Sequence, residues 1–116
     1  MKLPNHEHAL VPEQKITTYL LSFVHRDGRS KALFFTLFGF SANEWTVLAA
    51  ALQRHAADHN VSEITETPFG TSYTVEGWLV APDGRMPFVR VVCFIETGEA
   101  TPRLVTAYPV KGPRDD

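Results

Sequence analysis

From Thr71 onward, apolar and polar positions alternate in three runs: Thr71–Val80, Arg85–Glu96 and Pro102–Val110. Alternation with a period of two predicts strands, and Ala81-Pro82-Asp83-Gly84 and Thr97-Gly98-Glu99-Ala100 predict the turns between them. Upstream the spacing is helical. Ile16, Tyr19, Leu20 and Phe23 predict a helix over Pro12–Phe23, which begins on Pro12-Glu13. Ser30 is expected to cap a second helix, Lys31–Phe38, with Gly39 ending it left-handed and Phe40 folding back. Ser41-Ala42-Asn43-Glu44 reads as a capping box opening a third helix, Ala42–Ala57, with Trp45, Leu48, Ala49, Leu52 and Ala56 as its apolar stripe. Asp58-His59-Asn60 breaks that helix, and the β-branched run Val61–Thr67 predicts an edge strand. Met1–Val11 reads as a polar lead and Lys111–Asp116 as a polar tail, both expected to be flexible parts of a single domain over 1–116. The order predicts an α+β fold: two to three N-terminal helices on one face of an antiparallel meander of three to four strands.

The first turn sets a register. A two-residue Asp83-Gly84 loop would ask Pro82 for an N–H that proline lacks, so a three-residue loop with Gly84 left-handed fits better. Trp78 then faces Phe88, Glu76 faces Arg90 and Thr74 faces Val92. Odd positions from Tyr73 to Ile95 form an apolar face for the helices, while even positions mix aromatics with one acid and one base. Placing Phe94 near Leu104 brings Val92 to Thr106 and Arg90 to Tyr108, so a row Glu76–Arg90–Tyr108 crosses three strands. A one-residue slip at the second loop would turn Tyr108 to the other face.

Composition narrows the function classes. A 44% hydrophobic share supports a packed core, and a net charge of −2 argues against strong non-specific nucleic-acid binding. One cysteine excludes an internal disulfide, and no signal peptide or membrane helix is evident, so a cytoplasmic setting is expected. No cofactor motif occurs and none is expected.

The Glu76–Arg90–Tyr108 row is the leading candidate site: a carboxylate can take a proton and a guanidinium can stabilise charge developing on a phosphate. Its plain alternative is a cross-strand ion pair beside a tyrosine. His25 stands among Arg26, Arg29 and Lys31 and, because an imidazole can give or take a proton, is a candidate acid or base; a solvated histidine after a helix is the alternative. Lys31 is a candidate phosphate contact. Trp78, Phe88 and Phe94 can stack bases, or form a second core under the first helix or a dimer contact. His55 and His59 have metal-ligand spacing but no third ligand nearby, and no metal is assigned. Cys93, on the apolar face, reads as inert packing.

Tyr19-Leu20-Leu21, Gly28-Arg29-Ser30-Lys31-Ala32 with Phe35, and Gly39-Phe40 resemble a bacterial domain family of unknown function. So do Val75-Glu76-Gly77, Pro82-Asp83-Gly84-Arg85 and Pro102-Arg103-Leu104-Val105-Thr106-Ala107-Tyr108-Pro109. That family occurs free-standing and as terminal domains of large secreted toxins, and it implies no established activity. More loosely, helices followed by a sheet ending in Val105-Thr106-Ala107-Tyr108-Pro109 are similar to barnase- and colicin-type ribonuclease toxins. That likeness implies a phosphate site built from His25 or Lys31, Arg90, and Thr106 or Tyr108. Arg85 is a further candidate substrate contact. The expected function is a metal-independent ribonuclease or toxin-like domain acting on RNA. The alternative is a non-catalytic module that binds an antitoxin- or immunity-type protein or a second copy of itself.

Overall fold

In the computed structural model, which describes residues 1–112, four strands lie side by side in chain order, each antiparallel to the next. They are β1 (Val61–Thr67), β2 (Gly70–Trp78), β3 (Phe88–Glu96) and β4 (Arg103–Pro109). Three helices precede them: α1 (Glu13–Lys15, continuing as a wider π-turn over Ile16–Leu20), α2 (Arg29–Leu37) and α3 (Trp45–Asp58). The fold is α+β, with the helices mostly N-terminal to the sheet they cover. Among the described residues, no single helix is long and apolar enough to cross a membrane.

The odd-numbered face carries the core. Leu79, Val89, Val91 and Cys93 are buried there against Ile16, Leu20, Phe35, Leu48 and Leu52 of the helices, and Val75 is buried on the same face. Burial raises the pKa of the Cys93 thiol to about 12, which keeps it an uncharged packing group. The hairpin loop is the three-residue form: Gly84 has φ 88°, its N–H bonds the Ala81 carbonyl, and the Ala81 N–H bonds the Arg85 carbonyl. Regular pairing resumes only at Trp78↔Phe88, because Pro87 has no N–H to give back to β2.

Local departures from the expected pattern have identifiable causes. In the π-turn, Leu21 N–H bonds Ile16 O, five residues back, while the Thr17 and Thr18 hydroxyls bond carbonyls one turn earlier. The widened turn buries both Leu20 and Leu21 and leaves Phe23 exposed, so the helix stops short of its expected end. Helix α2 starts at Arg29 with Gly28 before it; Ser30 lies inside the helix and makes no cap. Its other end follows expectation: Gly39 has φ 100°, Phe40 N–H reaches Phe35 O, Gly39 N–H reaches Thr36 O, and the Phe35 and Phe40 rings meet edge-on. Ser41 is extended as a cap residue should be, but its hydroxyl makes no capping bond and a 3-10 turn, Ala42–Glu44, leads into α3. The lead before α1 is less polar in effect than in composition. Leu3 and Ala9 join the core, Met1 O accepts the Val61 N–H, and Leu10 pairs with Arg103 in parallel. Of the polar tail, 113–116 lie outside the described residues.

Two bulges set which side chains face the open side. Between β3 and β4 the register shifts after Val92↔Thr106, giving Cys93↔Leu104 and Phe94↔Arg103 instead of Phe94 opposite Leu104. A straight ladder would have turned Leu104 to solvent. The extra residue, Val105, returns Leu104 to the core at 3% exposure and puts Arg103 on the open face, paired with Glu96 and lying over Phe94. Between β1 and β2 the shift at Ser62 keeps Val61 against the core and sets Glu63 opposite Thr74.

Candidate functional site

On the open face, β2, β3 and β4 bring Glu76, Arg90 and Tyr108 into one row, as the register requires. Arg90 donates from Nε and Nη2 to a single carboxylate oxygen, Glu76 Oε2, at 2.8 and 2.6 Å, and from Nη1 to the Tyr108 hydroxyl at 3.2 Å. These hydrogen bonds, the one to Tyr108 first and the one to Glu76 next, raise the guanidinium pKa further above its ordinary value. Arg90 is therefore a permanent cation held in one orientation. The pair stays in reach of solvent, at 39% and 28% side-chain exposure, on the wall of a cleft of about 220 Å³. Ser62, Glu63 and Thr74 complete that cleft. Glu76 Oε1 and the Glu63 carboxylate have no hydrogen-bond partner among the described residues, so the cleft holds carboxylate oxygens able to accept a proton beside a fixed cation.

A second group gathers where α1 meets β4. The Tyr19 hydroxyl is 2.8 Å from Thr106 Oγ1, and Thr106 lies two residues before Tyr108 on the open face. His25 packs edge-on against the Tyr19 ring at 4.9 Å. Its Nδ1 accepts the backbone N–H groups of Asp27 and Gly28 at 3.0 and 3.1 Å, so the proton of the neutral ring sits on Nε2. Ser22 Oγ in turn accepts the Val24 and His25 N–H groups and fixes the turn that carries the ring. Lys31, on the first turns of α2, donates to Asp27 O at 2.9 Å, and its ammonium lies 5.4 Å from the Tyr19 ring centre and 6.0 Å from that of Tyr108. It bridges the two groups.

Thr106, Tyr108, Arg90 and Glu76 thus form one strip across β4, β3 and β2, with Lys31 and, through Tyr19, His25 beside its β4 end. One expected member falls elsewhere. Arg85 is engaged at the hairpin tip: it pairs with Asp83, donates to Leu37 O at 2.9 Å and stacks on Phe38 at 4.3 Å, which fastens the loop to the end of α2. The Arg85 hydrogen bonds hold the Asp83 carboxyl below its ordinary pKa. Trp78 and Phe88 pack edge-to-face at 4.9 Å beside the ion pair, on the side of the sheet opposite the helices; they form no core under α1, and Trp78 is 45% exposed. His55 and His59 each direct Nε2 to a β2 carbonyl, Gly77 O at 3.1 Å and Trp78 O at 3.0 Å. Among the described residues, no three His, Cys, Asp or Glu side chains gather where they could hold one metal ion.

Three residues of this region had no signal to mark them. Tyr19 reads as one apolar position of a helix, and only the π-turn and the pairing with Thr106 give it a polar role. Lys15, 5.2 Å from the Tyr19 ring centre, reads as ordinary surface. Glu63 is turned into the cleft by a bulge that alternation does not announce.

Gly28 holds the group together by having no side chain. A Cβ there would lie 2.0 Å from Tyr19 O and 3.3 Å from His25 Cβ. The carbonyl is backbone and cannot swing aside, so Gly28→Ala is expected to push the α2 start away from α1. The expected cost is about 1–3 kcal/mol, read as a lower urea midpoint. His25 imidazole NMR signals should shift in the same variant; unchanged stability and signals would contradict the packing described.

A family model described as a domain of unknown function, DUF6883, matches residues 2–111. Among solved structures, the chain is similar to one chain of a contact-dependent growth inhibition toxin–immunity protein complex from Klebsiella pneumoniae 342. The TM-score is 0.68 at 18% identity, covering 86% of this chain and 98% of that one. At that identity the likeness speaks for a shared fold. Comparison with curated proteins finds no match. With nearly its whole described length matched by the family model, this chain belongs to the DUF6883 family.

Proposed function

We propose that the domain cleaves RNA without a metal ion, using the 2′-hydroxyl as nucleophile. The observation that carries this reading is the strip itself. On a chain of net charge −2, Arg90 stands on the open sheet face beside unpaired carboxylate oxygens, with Lys31 and the His25 Nε2–H donor at the β4 end of the same row. Glu76, through Oε1, takes the proton of the 2′-hydroxyl as that oxygen attacks phosphorus. The P–O5′ bond breaks, and the 5′-oxygen leaves with a proton from Tyr108, whose oxygen accepts from Arg90 and whose O–H remains free to donate. Arg90 faces the charge that builds on the phosphate oxygens. The products are a 2′,3′-cyclic phosphate and a 5′-hydroxyl end.

A toxin-like role is in keeping with the toxin–immunity protein complex to which the fold is similar. A second reading has its own support. Trp78 and Phe88 form a half-exposed aromatic pair at the end of the strip, a feature suited to a protein partner of the toxin or immunity kind, covering the same face.

The test is incubation of pure protein with total RNA in excess EDTA, beside Glu76→Gln. The expected result is cyclic-phosphate ends from the wild type and a loss of about 10²–10⁴-fold in the variant, the range for a positioned acid or base. Equal RNA survival with protein and with buffer would end the nuclease reading. It would leave the partner reading to be judged by the size of the complexes formed.

A further inference from the structure

Next to the strip, and unused by the cleavage step, lies a larger cleft of about 590 Å³ where α1 meets β4, within the size range of ligand sites. Building on the nuclease reading, we infer that this cleft holds the phosphate of the nucleotide flanking the one cleaved, with Lys15 and His25 as its charged and neutral donors.

The donor set faces an anion. Lys15 and His25 line the cleft and no carboxylate does. Lys15 makes no ion pair among the described residues; its ammonium rests over the Tyr19 ring, a position that costs little to leave or to share with a phosphate. The His25 ring is fixed by the two backbone N–H groups on Nδ1, so its Nε2–H is a donor of set direction that needs no proton uptake to bind a phosphate oxygen. Tyr19 and Thr106 share one hydrogen bond between two hydroxyls, which leaves one hydroxyl proton free. Lys31 adds positive charge between this cleft and Tyr108.

The spacing also fits. Thr106 borders the larger cleft and Tyr108 the smaller, two residues apart on one face of β4, a step of about 7 Å along a strand. That is comparable to one backbone step of an extended nucleic-acid strand. A strand with its scissile phosphate at Arg90 and its backbone running along β4 past Tyr108 therefore enters the larger cleft, which Lys15 lines.

The experiment measures binding rather than cleavage, with a fluorescent single-stranded oligodeoxynucleotide that lacks the 2′-hydroxyl. Anisotropy titrations over a salt series are compared for wild type, Lys15→Gln, His25→Gln and, as control, Arg103→Gln at the far end of β4. Lys15→Gln is expected to weaken binding roughly three- to five-fold and to flatten the slope of log K against log salt by about 0.7, one phosphate contact on a single strand. His25→Gln should weaken binding with the slope kept, since a neutral donor releases no counterion. Arg103→Gln should change neither. An unaltered slope in Lys15→Gln of wild-type thermal stability overturns the proposal, as does failure of the wild type to bind. Because the probe cannot be cleaved, the outcome is separate from the cleavage test: equal survival of RNA with the wild type and with buffer would remove the nuclease reading alone.

Discussion

Arg90→Ala is expected to reduce RNA cleavage by about 10²–10³-fold, the usual loss when one preorganised donor to a developing oxyanion is removed. The side chain spans the row, so its removal frees both neighbours at once. Glu76 loses two hydrogen bonds to Oε2, and Tyr108 loses the donor that fixes its hydroxyl. Folding should be little affected. A cross-strand pair this exposed contributes about 0.2–1 kcal/mol, so a thermal midpoint within a few degrees of wild type is expected. Arg90→Lys separates charge from geometry. An ammonium keeps the cation but lacks the planar fork that reaches Glu76 and Tyr108 together, so only part of the rate should return. The measurement is single-turnover cleavage of a defined oligoribonucleotide, which isolates chemistry from product release. Wild-type rates in a folded Arg90→Ala protein would remove the site, because nothing else in the smaller cleft supplies a fixed cation.

How much of this was legible beforehand follows from which forces act locally. Pro82 and Gly84 admit one loop geometry, and that loop aligns Trp78 with Phe88 and Glu76 with Arg90 by counting alone. Gly39 and Phe40 end α2 as expected for the same reason: a left-handed residue followed by an apolar one has few alternatives. Features decided by competition between distant groups were not legible. Leu104 enters the core only because β4 bulges at Val105, and Glu63 enters the cleft only because β1 shifts at Ser62. Both follow from burying an apolar neighbour across the sheet, which alternation along one strand cannot register. The π-turn belongs with them. It trades Phe23 for Leu21 in the core and so gives Tyr19 its place beside Thr106. Arg85 is the opposite case: it is a candidate substrate contact by sequence, but Asp83, Leu37 and Phe38 engage it within the fold.

His55 carries the second large effect. It lies on the buried stripe of α3 at 2% exposure, with Nε2 toward Gly77 O, while Nδ1 has no hydrogen-bond partner among the described residues. Burial, opposed in part by the Gly77 carbonyl, lowers its pKa from 6.5 to about 4. An unfolded chain takes up this proton near pH 6.5, whereas the folded protein resists until about pH 4. Between those values the unfolded state binds more protons, so stability rises with pH across the window. The contribution is fully present above pH 6.5 and is lost as pH falls toward 4, about 3 kcal/mol in all. That is a large part of the margin of a small domain. Urea unfolding at neutral pH and again near the lower end of the window measures the loss. Carboxylates titrate in part of the same range, so the comparison that isolates His55 is His55→Gln, whose amide can still donate to Gly77 O but does not ionise. The variant is expected to be less stable at neutral pH, because its shape fills the ring site poorly, yet to lose less stability on acidification. Equal losses in both proteins would mean that the imidazole is already hydrated in the folded state, and that the clamp between α3 and β2 is looser than its burial indicates.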